Sequence, residues 1–181
     1  MSAEFVSDGP EETLADLFAE ADGTVYLTNA DAADVERVVA AAGDYDGDRP
    51  EVRVLGVGEE LRKVRRDFLV ASRAADLIDD GALALREREP TRNTTVFATE
   101  SSVYVPIRVD GVDGTAITRP DEFVADAFDW AAHNWEHAEA FSLRTPALSA
   151  VRETMDSEFD TDARRAFDRV LDHAAHTRDT T

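Results

Sequence analysis

The feature that most constrains the fold is a succession of strand, helix and strand within one short segment. Residues 24–28 (TVYLT) form an apolar run bounded by Gly23 and Asn29, which is typical of a buried strand. An amphipathic helix is predicted from Asp31, and a second apolar run follows at 51–57 (EVRVLGV). The segment has about the length of a βαβ unit, roughly 30 residues, in which a crossover helix joins two parallel strands. The sequence therefore predicts an α/β fold.

A second pattern predicts an antiparallel meander. Hydrophobic residues alternate with more polar ones over 96–98 and 103–109, the period that a half-buried strand requires. Two Asp-Gly pairs within 110–114 favour a chain reversal into a further strand, 115–118. Apolar residues at helical spacing then predict a helix that reaches Phe141. The expected fold class is α/β, a mixed sheet with a βαβ unit followed by an antiparallel meander, flanking helices and a C-terminal helical segment.

The remaining patterns organise the chain into segments. A long helix is predicted from Glu59 to Asp79, with Gly81 ending it. The length of the chain allows one domain of ordinary size, or one domain with a helical appendage. We expect a flexible arm at 1–9, an α/β sensing domain at 10–141, a C-terminal helical segment at 142–176, and a linker or tail at 177–181.

Composition limits the possible partners and chemistry. The net charge is −20, and Lys63 is the only lysine, a bias that suggests a salt-adapted proteome. Such a charge gives no general attraction to nucleic-acid phosphates. The absence of cysteine excludes disulfides, thiolate metal sites and cysteine nucleophiles. Because the sequence contains neither a signal-peptide pattern nor the ~20 apolar residues of a membrane span, we expect a cytoplasmic protein without membrane contact.

One basic cluster predicts an anion site. It lies on the long helix just after a strand end, where free helix N–H groups and strand termini favour anionic ligands. The candidate ligand-binding residues are Asn29, Gly56, Gly58, Arg62, Arg66 and Arg73. The expected effector is a sugar phosphate or another small metabolite. The alternative is that these arginines pair with carboxylates such as Glu59 and Asp67 on a solvated helix face.

A second motif raises the possibility of metal chemistry. Residues 133–137 (HNWEH) fit the H-x-x-E-H pattern of inverted zinc peptidases, with His133 and His137 one helical turn apart. The alternative is that both histidines lie at the polar edge of a helix whose core face holds Phe128 and Trp135. Signatures such as G-x-S-x-G, the Walker lysine motif and H-x-K are absent from the sequence. We therefore predict no enzyme, catalytic residue, metal site or cofactor, and keep a metal hydrolase as an alternative.

Four blocks of sequence carry a resemblance to a known family. They are TVYLTNA (24–30), VRVLGVGEELRKVRRDFLVASRAADLIDDGALALRE (52–87), VFATESSVYVPIRVDG (96–111) and FDWAAHNWEHAEAF (128–141). The chain resembles the TbsP-type transcriptional regulators of haloarchaea, which are similar in outline to the TrmB-like sugar-responsive regulators. The second block is the most specific of the four.

This resemblance implies a regulatory, non-catalytic role. In such regulators an α/β module senses a metabolite or forms a homodimer, and a C-terminal winged helix-turn-helix contacts DNA. The resemblance adds no catalytic residues. Since no winged helix is predicted in these 181 residues, we expect DNA contact only through a domain that this chain lacks. The alternative is a purely structural dimerisation domain, which would use the aromatic face of 123–141 or the C-terminal helices.

Overall fold

The computed structural model describes residues 3–6, 10–89, 94–109, 112–119, 122–159 and 161–178, which form one sheet flanked by helices. The strands are β1 (Ala3–Val6), β2 (Thr24–Ala30), β3 (Glu51–Val57), β4 (Leu83–Arg88), β5 (Val96–Ala98), β6 (Val103–Val109), β7 (Val112–Thr118) and β8 (Glu139–Ala140). The helices are α1 (Pro10–Glu20), α2 (Ala32–Asp44), α3 (Gly58–Arg66), α4 (Phe68–Asp79), α5 (Glu122–His137), α6 (Leu148–Glu158) and α7 (Thr161–Arg178).

The sheet is mixed, and its eight strands follow the order β1-β7-β6-β5-β2-β3-β4-β8. Strands β2, β3 and β4 run parallel to their neighbours in this group. The meander β5-β6-β7 joins β2 through antiparallel pairing of β5. Both the βαβ unit and the meander are thus confirmed, together with the flanking and C-terminal helices.

Local chemistry explains where the crossover helix α2 begins. Asp31 is its N-cap, and one side-chain oxygen of Asp31 accepts from the backbone N–H of Asp34 at 2.8 Å. The Asp34 carboxylate accepts in turn from the Asp31 backbone N–H at 3.2 Å. This reciprocal capping satisfies donors that the first helical turn leaves open.

The predicted single helix from Glu59 to Asp79 is wrong, because it is divided at Asp67. The backbone of Asp67 is extended, with φ −86° and ψ 102°. Its carboxylate accepts hydrogen bonds from the N–H groups of Leu69 (3.1 Å) and Val70 (3.2 Å). Asp67 therefore ends α3 and caps α4, as an aspartate at an N-cap position favours.

Two short strands at the sheet edges differ from the predictions. Strand β1 pairs antiparallel with β7, so residues 3–6 belong to the sheet, and the expected flexible arm is wrong for them. Strand β8 pairs with β4, so the helix expected to reach Phe141 ends at His137. The predicted tail begins inside α7, which includes Arg178. Residues 1–2, 7–9 and 179–181 lie outside the described residues.

Two different layers cover the two faces of the sheet. Helices α1 to α4 pack on one face in a large cluster of buried apolar residues, which includes the fully buried Leu27, Val54 and Leu61. Helix α5 packs on the other face in a smaller cluster that contains Leu55 and Trp135. The smaller cluster stands next to the strand ends where the candidate site lies.

Candidate ligand cleft at the carboxyl edge of the sheet

The carboxyl ends of the parallel strands lie side by side. Ala30 at the end of β2 is in register with Gly56 of β3. Gly56 and Val57 are in turn in register with Glu87 and Arg88 at the end of β4. The strand ends are therefore adjacent, as the sequence predicted. Open α/β sheets bind ligands at this edge.

A cleft of about 490 Å³ opens where β3 and β4 end, and we call it the edge cleft. It is bordered by the start of α3 on one side and by the turn from α5 to β8 on the other. Its lining carries four carboxylates, two guanidinium groups and one imidazole. The lining residues are Val57, Gly58, Glu59, Arg62, Glu87, Arg88, Glu89, His137, Ala138 and Glu139.

Two of the six predicted ligand-binding residues, Gly58 and Arg62, line the edge cleft. Asn29 has a positive φ of 55°, and its side chain donates to the Thr94 carbonyl at 3.1 Å. Arg66 is exposed on α3. Arg73 borders a separate cleft of about 290 Å³. The ligand-binding role of all six residues stays a prediction.

Gly56 and Gly58 have different neighbours. A Cβ atom at Gly56 would lie 2.7 Å from Cδ2 of Leu61, which is fully buried. A Cβ atom at Gly58 would lie 2.6 Å from Oε2 of Glu87. The glycine at 56 therefore allows core packing, whereas the glycine at 58 leaves room for a cleft carboxylate.

This difference gives a testable prediction. We expect Gly56→Ala to lower the free energy of unfolding by about 2 kcal/mol, because Leu61 cannot move aside without strain in the core. Gly58→Ala should leave it within about 1 kcal/mol of the original, since a flexible carboxylate can move and alanine favours the first helical turn. Urea denaturation at constant salt measures both variants, and equal losses would contradict this assignment.

Polar groups inside the edge cleft are incompletely paired. Arg62 Nη2 lies 3.6 Å from Glu87 Oε2, an ion pair too long for a hydrogen bond. Glu87 Oε2 and Arg88 Nη1 are both buried atoms without a hydrogen-bond partner in the described part of the chain. Buried charged groups of this kind favour additional partners.

Three arginines project from the sheet against the aromatic rings of β2 and α5. The guanidinium carbon of Arg53 lies 5.7 Å from the centre of the Tyr26 ring. That of Arg86 lies 4.7 Å from the Trp135 ring, and that of Arg88 lies 5.5 Å from the Trp130 ring. Such distances permit cation–π attraction. This layer was not predicted from the sequence, although Arg86 and Arg88, two residues apart on one strand, were a signal for a shared face.

Two of these arginines also have strong polar partners. Arg53 donates to Glu51 at 2.8 Å and to the Tyr26 hydroxyl at 3.0 Å, and the Glu51 carboxylate raises the pKa of Arg53. Arg86 Nη1 donates to the carbonyl of Trp135 at 2.7 Å. Because Trp135 lies in the last turn of α5, Arg86 holds the end of that helix against the sheet.

The H-x-x-E-H motif lies at the end of α5. The rings of His133 and His137 have centres 4.3 Å apart. Nδ1 of His137 lies 2.7 Å from the His133 carbonyl oxygen. Across the residues that the structure describes, no group of three or more histidine, aspartate or glutamate side chains is arranged to hold a metal ion. His137 instead contributes its ring to the edge cleft.

Comparison with known families gives a match over most of the chain. Residues 2–146 match the family described as transcriptional regulator TbsP-like, N-terminal. The α/β fold with its edge cleft is therefore the N-terminal module of a class of transcriptional regulators. The chain belongs to this TbsP-like family, and the match confirms the TbsP-type part of the resemblance noted from the sequence blocks. Helices α6 and α7 lie beyond the matched residues.

Two solved structures share the fold. TrmBL2, described as an archaeal chromatin protein with a novel mode of DNA binding, has a TM-score of 0.50 and 13% identity. The alignment covers 77% of this chain and 54% of that one, so this chain spans about half of the TrmBL2 structure. NucT from Helicobacter pylori has a TM-score of 0.51 and 11% identity, with 77% and 99% of the two chains covered. At these identities the likeness shows the fold alone.

A comparison with curated proteins gives no match. None of the helices in the described ranges combines the length and the apolar character that a membrane span requires.

Proposed function

We propose that this chain is the regulatory, non-catalytic module of a cytoplasmic transcription regulator and that it binds a small metabolite in the edge cleft. The observation that carries the proposal is the pair of buried, incompletely paired charged atoms, Glu87 Oε2 and Arg88 Nη1, at the carboxyl edge of a parallel sheet. The excess of carboxylates and the single lysine support an origin in a salt-adapted haloarchaeon.

The route from ligand to regulation runs through α5. His137, Ala138 and Glu139 line the cleft, and His137 is the last residue of α5, the helix end that Arg86 holds. A ligand that contacts these residues would favour one position of α5 over another. By this population shift the module would alter the position of a DNA-binding domain joined to it.

A thermal-shift screen in molar potassium chloride tests the sensing role. The screen would include glycolytic intermediates, amino acids and inorganic phosphate. We expect at least one metabolite to raise the melting temperature, since a ligand at a hundred times its Kd stabilises the folded state by about 2.7 kcal/mol. Gly58→Ala should remove the shift by displacing Glu87. A flat response across the panel would reject the proposal.

Homodimer formation through α7 is a second proposed function. Val170 on α7 is 66% exposed, and Phe159 just before it is 60% exposed. Helix α7 carries four arginines and three aspartates, whereas the whole chain has a net charge of −20. Charge repulsion between two copies should therefore be weakest when they pair through α7. The exposed apolar side chains on and beside α7 would be buried in that contact.

Charge insertion tests the dimer. We expect Val170→Asp to convert a dimer into a monomer, because a carboxylate in an apolar contact is costly to bury. Ala125→Asp, on the exposed side of α5, adds the same charge and should leave the dimer intact. Sedimentation analysis in molar salt measures both masses. A monomeric parent protein, or a dimer that persists in Val170→Asp, would contradict the proposed interface.

A further inference from the structure

The chemical lining of the edge cleft restricts which metabolite it can bind. Four glutamates face two arginines there, so the fixed charge is negative. A phosphate dianion would gain contacts with Arg62 and Arg88 but would stand among carboxylates that repel it. An ammonium group, by contrast, finds several acceptors. The lining therefore favours ligands that carry positive charge.

Glu87 and Arg88 together favour a ligand that carries both a positive and a negative charge. They are consecutive residues at the end of β4, so their side chains point to opposite faces of the sheet. The edge cleft is lined by both, and it contacts α3 on one side and the α5–β8 turn on the other. In the described part of the chain, Glu87 Oε2 has no hydrogen-bond donor beyond its 3.6 Å ion pair with Arg62, and Arg88 Nη1 has no hydrogen-bond acceptor. A ligand with an ammonium and a carboxylate would bring a charge of opposite sign to each of these two side chains.

His137 presents its ring to the cleft. Its Nδ1 lies 2.7 Å from the carbonyl oxygen of His133, and a carbonyl can only accept. In a neutral ring the proton would therefore lie on Nδ1, and Nε2 would be an acceptor. With Glu59 and Glu139 also in the lining, the cleft offers places for a second ammonium group.

We propose that the edge cleft binds a cationic amino acid, with the ligand carboxylate on Arg88 and an ammonium group on Glu87. This inference rests on the proposed sensing function and names the class of effector. The second ammonium of such a ligand meets the remaining carboxylates. Its net positive charge offsets the negative lining, which a sugar phosphate would not do.

Calorimetric titration with three matched probes tests the class. L-lysine carries all three charged groups, cadaverine lacks the carboxylate, and norleucine lacks the side-chain ammonium. We expect lysine to bind, and each of the other two to bind about tenfold more weakly, as the loss of one charge-assisted hydrogen bond implies. Equal affinities for all three probes would overturn the proposal.

Substitutions assign each charge to a residue. Glu87→Gln should weaken lysine binding about tenfold. Arg88→Gln should weaken lysine to the same extent while leaving cadaverine unchanged, because cadaverine has no carboxylate to lose. Arg165→Gln, on the exposed side of α7 outside the cleft lining, is the control and should change nothing. Circular dichroism establishes that each variant is folded. Lysine binding that is indifferent to both cleft variants would overturn the proposal.

The same experiment separates this inference from the sensing function. If glucose 6-phosphate binds, lysine does not, and Arg62→Gln removes the binding, then the amino-acid class is wrong and the sensing function stands. If neither lysine nor any member of the metabolite panel binds, both proposals fail.

Discussion

Trp135→Ala should lower the free energy of unfolding by about 3–5 kcal/mol, the range for removing a large aromatic side chain from a core. Trp135 is 8% exposed, and its ring lies against Tyr26 with centres 6.4 Å apart. The guanidinium carbons of Arg53 and Arg86 lie 5.8 Å and 4.7 Å from the same ring. Truncation leaves a cavity and also removes the aromatic face from two charged groups.

The other tryptophan of α5 provides a matched control. Trp130 is 38% exposed, and a single arginine, Arg88, lies over its ring among the described residues. Trp130→Ala should therefore cost about 1 kcal/mol, the scale of an exposed cation–π contact. Urea denaturation at fixed salt concentration measures both variants. Equal losses of stability in the two variants would mean that the contacts of Trp135 with Arg53 and Arg86 stabilise α5 no more than the contact of Trp130 with Arg88.

Local patterns predicted much of the fold. Period-2 alternation located β6, and the apolar runs at 24–28 and 51–57 located β2 and β3 because strands of this kind need no distant partner to be recognised. The edge strands were different. β1 pairs with β7, more than a hundred residues away, and nothing within residues 3–6 indicates that partner. The aspartate at 67 was a capping signal that the apolar periodicity on both sides obscured.

The residues of the candidate site also divide into those that local sequence predicted and those that it did not. Gly58 and Arg62 were predicted because they follow directly after a strand, so their position depends on local sequence. Glu87, Arg88 and His137 were missed because they reach the edge cleft through the pairing of β4 with β3 and β8, which joins residues up to about fifty positions apart. Without the strand order, the side of the sheet that each arginine faces could not be known.

Arg86 connects these distant parts, and its removal should have the second largest effect on stability. Arg86→Met keeps most of the apolar stem but loses the 2.7 Å hydrogen bond to the Trp135 carbonyl and the stacking on that ring. We expect a loss of about 3 kcal/mol, since a charge-assisted hydrogen bond and a cation–π contact disappear together. Arg86→Lys, which keeps the charge without the planar guanidinium, should recover part of it.

The loss should also be local, which distinguishes it from general destabilisation. Arg86 is in register with Ala140 of β8, and the Phe141 N–H donates to the Leu85 carbonyl at 3.0 Å. In Arg86→Met the amide of Phe141 and the last amides of α5 should therefore exchange with solvent faster, while those of β2 keep their protection. Native-state hydrogen exchange measures this difference. Uniformly faster exchange across the sheet would show that Arg86 stabilises the fold as a whole rather than holding the helix end beside the cleft.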